Sequence, residues 1–176
     1  MPRGTRRMKG MAMAADADIA LIKTQERRLA FETFDEGVAW ALGSAIRARA
    51  VRENLSLVCD ITLWDRPLFY CAMPGTTGEN IDWVRRKSWL VKRLGKSSYR
   101  AMLENNGERV YAPDRGLDVG DYALAGGGFP LRIASFGVVG AVTISGLHER
   151  LDHGVAVAAI CDHLGLDAQA LALPPE

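Results

Sequence analysis

Residues 121–153, DYALAGGGFPLRIASFGVVGAVTISGLHERLDH, constrain the fold more than any other stretch of the chain. Three glycines, Gly126, Gly127 and Gly128, precede Phe129-Pro130 and two strand-like runs, about Phe129–Ala134 and Val138–Ser145. Ser135-Phe136-Gly137 between the runs predicts a tight turn and hence an antiparallel hairpin. A closing helix follows from about Glu149 to Leu164, with His153, Val157, Ile160 and Leu164 on its inner side and Gly165 as its stop. Because a strand and not a helix follows the glycines, with neither G-x-x-x-x-G-K-[ST] nor G-x-G-x-x-G, this is not a phosphate loop. The glycines serve backbone geometry, either as a tight turn or as a pocket wall that lets a ligand or a neighbouring chain come close.

Upstream, Leu55, Leu57, Cys59, Ile61 and Leu63 alternate with Ser56, Val58, Asp60 and Thr62, which predicts a strand with one buried face. Trp64-Asp65-Arg66 turns the chain, and Pro67–Met73 returns as its partner, with Pro67 confined to a strand start or a sheet edge. Helices fill the intervals. Ile19 and Ile22 mark one over about Ala17–Arg28. Thr33 and Glu36 have capping-box spacing before another, reaching about Arg52, with Val38, Ala41, Leu42, Ala45 and Ile46 inward and Trp40 and Val51 opposite. Asn80–Leu94 is the strongest helix and ends at Gly95. On it Trp83, Val84, Leu90, Val91 and Leu94 share a face, with Asn80 and Lys87 in the middle, while Arg85, Arg86, Lys92, Arg93 and Trp89 take the other. Ser97-Ser98 caps a short helix through Leu103, and residues 108–120 form a loop. This order predicts an α+β layered domain, an antiparallel sheet of hairpins flanked by helices.

A chain of 176 residues suits one domain, placed at residues 17–170 behind a tail over residues 1–16 expected to be disordered. The opening MPRGTRRMKGMAMAADAD lacks the apolar core of a signal peptide, and Met8, Met11 and Met13 are alternative starts. A net charge of +1 sets up no global field for nucleic acid or membrane. No apolar run approaches the ~20 residues of a membrane span. Cys59, Cys71 and Cys161, without a CxxC pair, argue against a disulfide framework or a zinc site and suit a reducing cytoplasm.

Chemistry narrows to a few side chains. Lys87, on an apolar stripe, must snorkel, meet an acid or bind a ligand. Asp152 and His153 diverge by about 100° on a helix, so they do not act as the acid and base of a triad. His153 is either a satisfied core or cap residue or a ligand contact. Ser145 lies in I-S-G-L, not in the G-x-S-x-G elbow of a hydrolase, and Cys161 and His163 share no helix face for a metal. Arg85–Arg100 holds seven basic residues without an acid, yet no nucleic-acid motif accompanies them.

Taken together, N-x-x-W-x-x-x-K at Asn80, Trp83 and Lys87, Ser97-Ser98, A-G-G-G-F-P at Ala125–Pro130, V-x-I-S-G-L at Val142–Leu147 and Asp152-His153 resemble one family. Over about Leu29–Leu166 the chain resembles the GlcG/HbpS-like haem-degrading domain proteins, most closely their uncharacterised UPF-type branch. The resemblance implies a profilin-like layered fold and a homo-oligomer built from dimers. Some members bind haem or a corrinoid or degrade haem, and others have no established activity. It further implies a shared pocket or interface of Asn80, Trp83, Lys87, Gly126, Gly127, Gly128, Phe129, Ser145 and His153, with haem as a cofactor by resemblance only. A haem ligand would come from His153, His148, a Met or a Cys. Three classes stay open: a binding module for a tetrapyrrole or a small anion, a haem-degrading enzyme, and a ligand-free assembly scaffold. No nucleic-acid or membrane partner is expected.

Overall fold

Period-2 alternation along the strands sets the architecture. The structure, a computed structural model, describes residues 3–175, with side chains from Met13 onward. Helix α1 (Arg3–Arg28) leads through the short strand β1 (Ala30–Phe31) to helix α2 (Glu36–Glu53). The first hairpin is β2 (Val58–Leu63) with β3 (Arg66–Ala72), followed by helices α3 (Gly78–Leu94) and α4 (Ser98–Glu104). The second hairpin, β4 (Gly128–Ile133) with β5 (Gly137–Ser145), precedes α5 (Glu149–His163) and the short α6 (Ala168–Leu171). All five strands form one sheet in the order β1-β4-β5-β2-β3. The pairs are antiparallel except β1, which joins β4 in parallel and was not legible as a strand.

Helices cover both faces of the sheet. Cys59, Ile61, Phe69, Phe129, Leu131, Val142 and Ile144 point into a core shared with Leu42 and Ile46 of α2 and Val157 and Ile160 of α5. On the opposite face the strands meet α3, and Gly128 lies so close that an added Cβ would be 2.9 Å from Val91. A smaller core joins Ile22 of α1, Leu90 of α3 and Tyr99 and Met102 of α4. The strand expected to bury one face therefore buries two, with Val58 at 0% and Asp60 at 8% exposure on the second face. Pro67 sits near the start of the edge strand β3, where its missing N–H costs no ladder bond.

Several boundaries differ from the sequence reading, each for a local reason. Helix α1 begins at Arg3 and not near Ala17, through a stretch of Met, Lys and Ala that favours helix. Asp35, not Thr33, caps α2, its carboxylate accepting from the Val38 N–H at 2.9 Å. The inner face of α2 is Ala39, Leu42, Gly43, Ile46 and Ala50, leaving Ala41 and Ala45 exposed. Gly43 decides that rotation: an added Cβ would stand 2.3 Å from the Phe69 ring, so the helix lies down on β3 at its glycine. No described helix is long and apolar enough to cross a membrane.

Candidate functional site

Where β5 ends and α5 begins, the chain makes a corner against α3. Lys87 stands in the middle of α3's inner face and is only 3% exposed. Its Nζ donates to Asp152 Oδ2 at 2.9 Å and to the Ile144 carbonyl at 3.0 Å. Asp152, 1% exposed in the first turn of α5, also accepts from the Leu147 N–H at 3.0 Å and so pins the turn between β5 and α5. Burial drives the two partners towards neutrality: desolvation lowers the Lys87 pKa and raises that of Asp152, and their mutual attraction opposes both shifts.

The glycine corner makes room for this pair. Gly127, at φ +123°, accepts a hydrogen bond from Ile144 N at 3.0 Å, and a Cβ there would fall 2.1 Å from the Ile144 carbonyl and 2.9 Å from Lys87 Nζ. Gly126 approaches the α5 backbone so closely that a Cβ would meet the Glu149 carbonyl at 1.9 Å. Gly128 donates to Ser98 Oγ at 2.9 Å, which ties the corner to α4. Of the serine pair, Ser97 caps α4 through the Arg100 N–H, and Ser98 anchors the glycines.

Above Lys87 and Asp152 opens a cleft of about 270 Å³, bordered by Asn80, Trp83, Arg109, Ser145, His148 and Glu149. Asn80 Oδ1 accepts from the Thr77 N–H at 2.9 Å to cap α3. Arg109 reaches in from the 108–120 loop and lies 3.3 Å from Glu149 Oε2. Asn80, Trp83, Lys87 and Ser145 thus meet at one opening, as a single set of residues. The glycines stand behind Lys87 as its wall. Phe129 and His153 do not share the opening: Phe129 is buried in the main core, its ring 5.7 Å from the His153 ring.

His153 lies on the other flank of α5 and is fully buried. Its Nε2 is 2.8 Å from Gln25 Oε1 of α1, whose own Nε2 donates to the Leu171 carbonyl at 2.7 Å. With that amide N–H₂ already committed, the imidazole carries its proton on Nε2 and donates it. Desolvation, assisted by Arg150, pushes the His153 pKa down to about 3, so the ring is neutral. Nδ1 is buried with no hydrogen-bond partner among the described residues. His153 borders a second cavity of about 520 Å³ together with Leu151, Val157, Leu173 and Pro174, and His148 borders both openings.

Arg109, Glu149 and Gln25 escaped the sequence reading as site residues. The Asp-His pair did signal Asp152, but its partner is the lysine 65 positions upstream and not the adjacent imidazole. Arg109 and Glu149 carry no local pattern. The basic run of α3 and α4 is largely spent internally, with Arg85 and Arg86 on Asp82, Lys96 on Glu104, and Arg100 on Glu26 and Glu104. Among the described residues no cluster of His, Cys, Asp and Glu is placed to hold a metal ion.

An open, mostly antiparallel sheet between helices, with a cleft at the β5–α5 corner, places the protein among α+β domains of the HbpS/GlcG-like fold. The crystal structure of the Ybr137w protein superposes with a TM-score of 0.75 at 28% identity, over 84% of this chain and 87% of that one. A PduOC:heme complex shares the fold with a TM-score of 0.60 at 21% identity, over 75% and 94%. Residues 34–161 match the family model described as haem degrading protein HbpS-like. A UPF0303 protein of Mesorhizobium japonicum is 54% identical over 165 residues, 93% of this chain and 99% of its own length. The chain belongs to the HbpS-like family.

Proposed function

We propose that the protein is a homo-oligomer that binds a small anionic ligand in the cleft over Lys87 and Asp152. The observation that carries this reading is a desolvated lysine at the floor of an opening and not in a closed core. Three donors face the opening, the Asn80 N–H₂, left over once its oxygen caps α3, the Ser145 hydroxyl and the Arg109 guanidinium, beside the Glu149 and Asp152 carboxylates that pair with Arg109 and Lys87. At about 270 Å³ the cleft sits just under the roughly 300–1,000 Å³ typical of drug-sized ligands, so it takes a carboxylate-bearing fragment and not a macrocycle. Free thiols at Cys59, Cys71 and Cys161 suit work in the reducing cytoplasm.

A second reading rests on the His153 cavity. Its volume of about 520 Å³, apolar walls and neutral imidazole with an unpartnered Nδ1 suit a tetrapyrrole, the class of ligand carried by PduOC. When bound, haem would bring its own redox chemistry, and His153 and the cavity walls would hold and orient it. The two readings separate by titration of the purified protein with propionate and with hemin. Propionate should raise the melting temperature of the wild type and leave Lys87→Met unmoved, compared at pH 5.5 where the variant is expected to fold. Equal stabilisation of both proteins would overturn the cleft reading. A hemin Soret shift that survives Lys87→Met and disappears in His153→Ala would favour the second cavity. Bleaching of that band under reductant and oxygen would extend it to an enzyme.

A further inference from the structure

Two of the cysteines face each other across the first hairpin. Cys59 of β2 and Cys71 of β3 are direct partners in the antiparallel register, on the sheet face that supports α2. Two residues along, Met73 N donates to the Leu57 carbonyl at 2.9 Å, which marks Leu57–Met73 as a hydrogen-bonded pair. Alternation gives Cys59–Cys71 the same type, with Cα atoms about 5.5 Å apart, inside the roughly 4.4–6.8 Å span of disulfides. The environments of the two thiols differ. Cys59 is fully buried, whereas Cys71 is half-buried on the edge strand near Arg47 of α2.

We propose that Cys71 and Cys59 form a peroxide-reactive dithiol, in which Cys71 meets the oxidant and Cys59 closes a cross-strand disulfide on it. The Cys71 thiolate attacks one peroxide oxygen, forming an S–O bond as the O–O bond breaks, and the departing hydroxide takes up a proton. Cys59 then attacks the Cys71 sulfur of the sulfenic acid. The S–S bond forms, the S–O bond breaks, and the Cys59 proton leaves with the hydroxide as water. Two thiols are oxidised and one hydrogen peroxide is reduced to two waters. The electrostatics run the same way: a hydrogen bond from Cys59 and the charge of Arg47 bring the Cys71 pKa down to about 7, while donation to Cys71 and burial push Cys59 up. Cys161 supplies an internal control, since it is buried on α5, lies outside the β2–β3 register and has its pKa raised by desolvation.

The test is stoichiometric hydrogen peroxide on the full chain at neutral pH, read by intact mass, maleimide counting and peptide mapping. Cleavage before Asp60 and Asp65 separates the two cysteines, so a disulfide shows as a linked peptide pair. The expected product is a single unlinked chain lighter by two hydrogens, with Cys161 still reduced and reacting roughly tenfold or more slowly than Cys71. Cys59→Ser should stop at a dimedone-reactive Cys71, and Cys71→Ser should leave Cys59 inert. Arg47→Ala should slow the first step without changing the product. Oxidation of Cys71 no faster than that of Cys161, a wild-type product that stays a sulfenic or sulfinic acid, or a disulfide between chains would each overturn the proposal.

Discussion

A buried charge whose partner is also buried has two routes out when the partner is removed: it can stay charged at a high cost or change its protonation. Asp152 has the second route, because burial already raises its pKa. Breaking a buried pair costs about 3–5 kcal/mol where the remaining charge persists. Lys87→Met should therefore be strongly destabilised at pH 8 and recover much of that loss near pH 5, measured by urea unfolding at both pH values. Asp60 obeys the same logic without a cation. Desolvation between β2 and α3 raises its pKa to about 6, against the hydrogen bond it accepts from Thr62. Between about pH 4 and pH 6 the folded state holds more protons than the unfolded state, so this group's contribution falls as pH rises. Asp60→Asn should stabilise the protein at pH 8, by on the order of 2 kcal/mol, and have little effect at pH 4. His153 has the opposite sign. With its folded pKa lowered to about 3, its contribution is whole above about pH 6.5 and declines as the medium is acidified. Replacing it with Gln should flatten the acid side of the stability profile.

At the level of helices and strands, two glycines with the same propensity defect should respond in opposite directions. Gly43 lies against the Phe69 ring, so Gly43→Ala should push α2 off β3 and cost about 1–3 kcal/mol, more than the helix propensity it gains. Gly154, inside α5, has nothing within 4 Å of an added Cβ, and Gly154→Ala should stabilise by about 0.5–1 kcal/mol. Thermal melts of both variants check the pair. Period-2 alternation and turn residues made both hairpins legible, period 3.6 with helix stops did so for α3 and α5, and the Ser97-Ser98 cap did so for α4. Such patterning failed where contact geometry decides. The face of α2 is chosen by one ring over Gly43, and β1 is too short to carry a period. The second covered face of β2 depends on α3, which arrives from later in the chain. At the site, Lys87 announced itself as a cation on an apolar stripe; helical spacing put Asn80 and Trp83 on its face, and the family resemblance put them in the site. Arg109 did not, because nothing local in a loop says which way an arginine will reach.

For the molecule as a whole, the open edge of the sheet and its neighbours leave Trp40 67% exposed and Tyr70 47% exposed. Aromatic side chains of this kind are enriched where protein surfaces meet. Light scattering at micromolar concentration should report more than one copy, and Trp40→Arg with Tyr70→Lys should shift the population towards the monomer. The two ends of the chain are also bound to each other. Arg150 grips Asp18 of α1 and the Pro174 carbonyl at once, and Gln25 of α1 donates to the Leu171 carbonyl while its Oε1 accepts a hydrogen bond from His153 Nε2. Head and tail are therefore one clasp. Shortening the chain after Leu171 should loosen the leading helix, and pulling that helix away should unseal the chamber beside His153, as if a single buckle had been undone from either side.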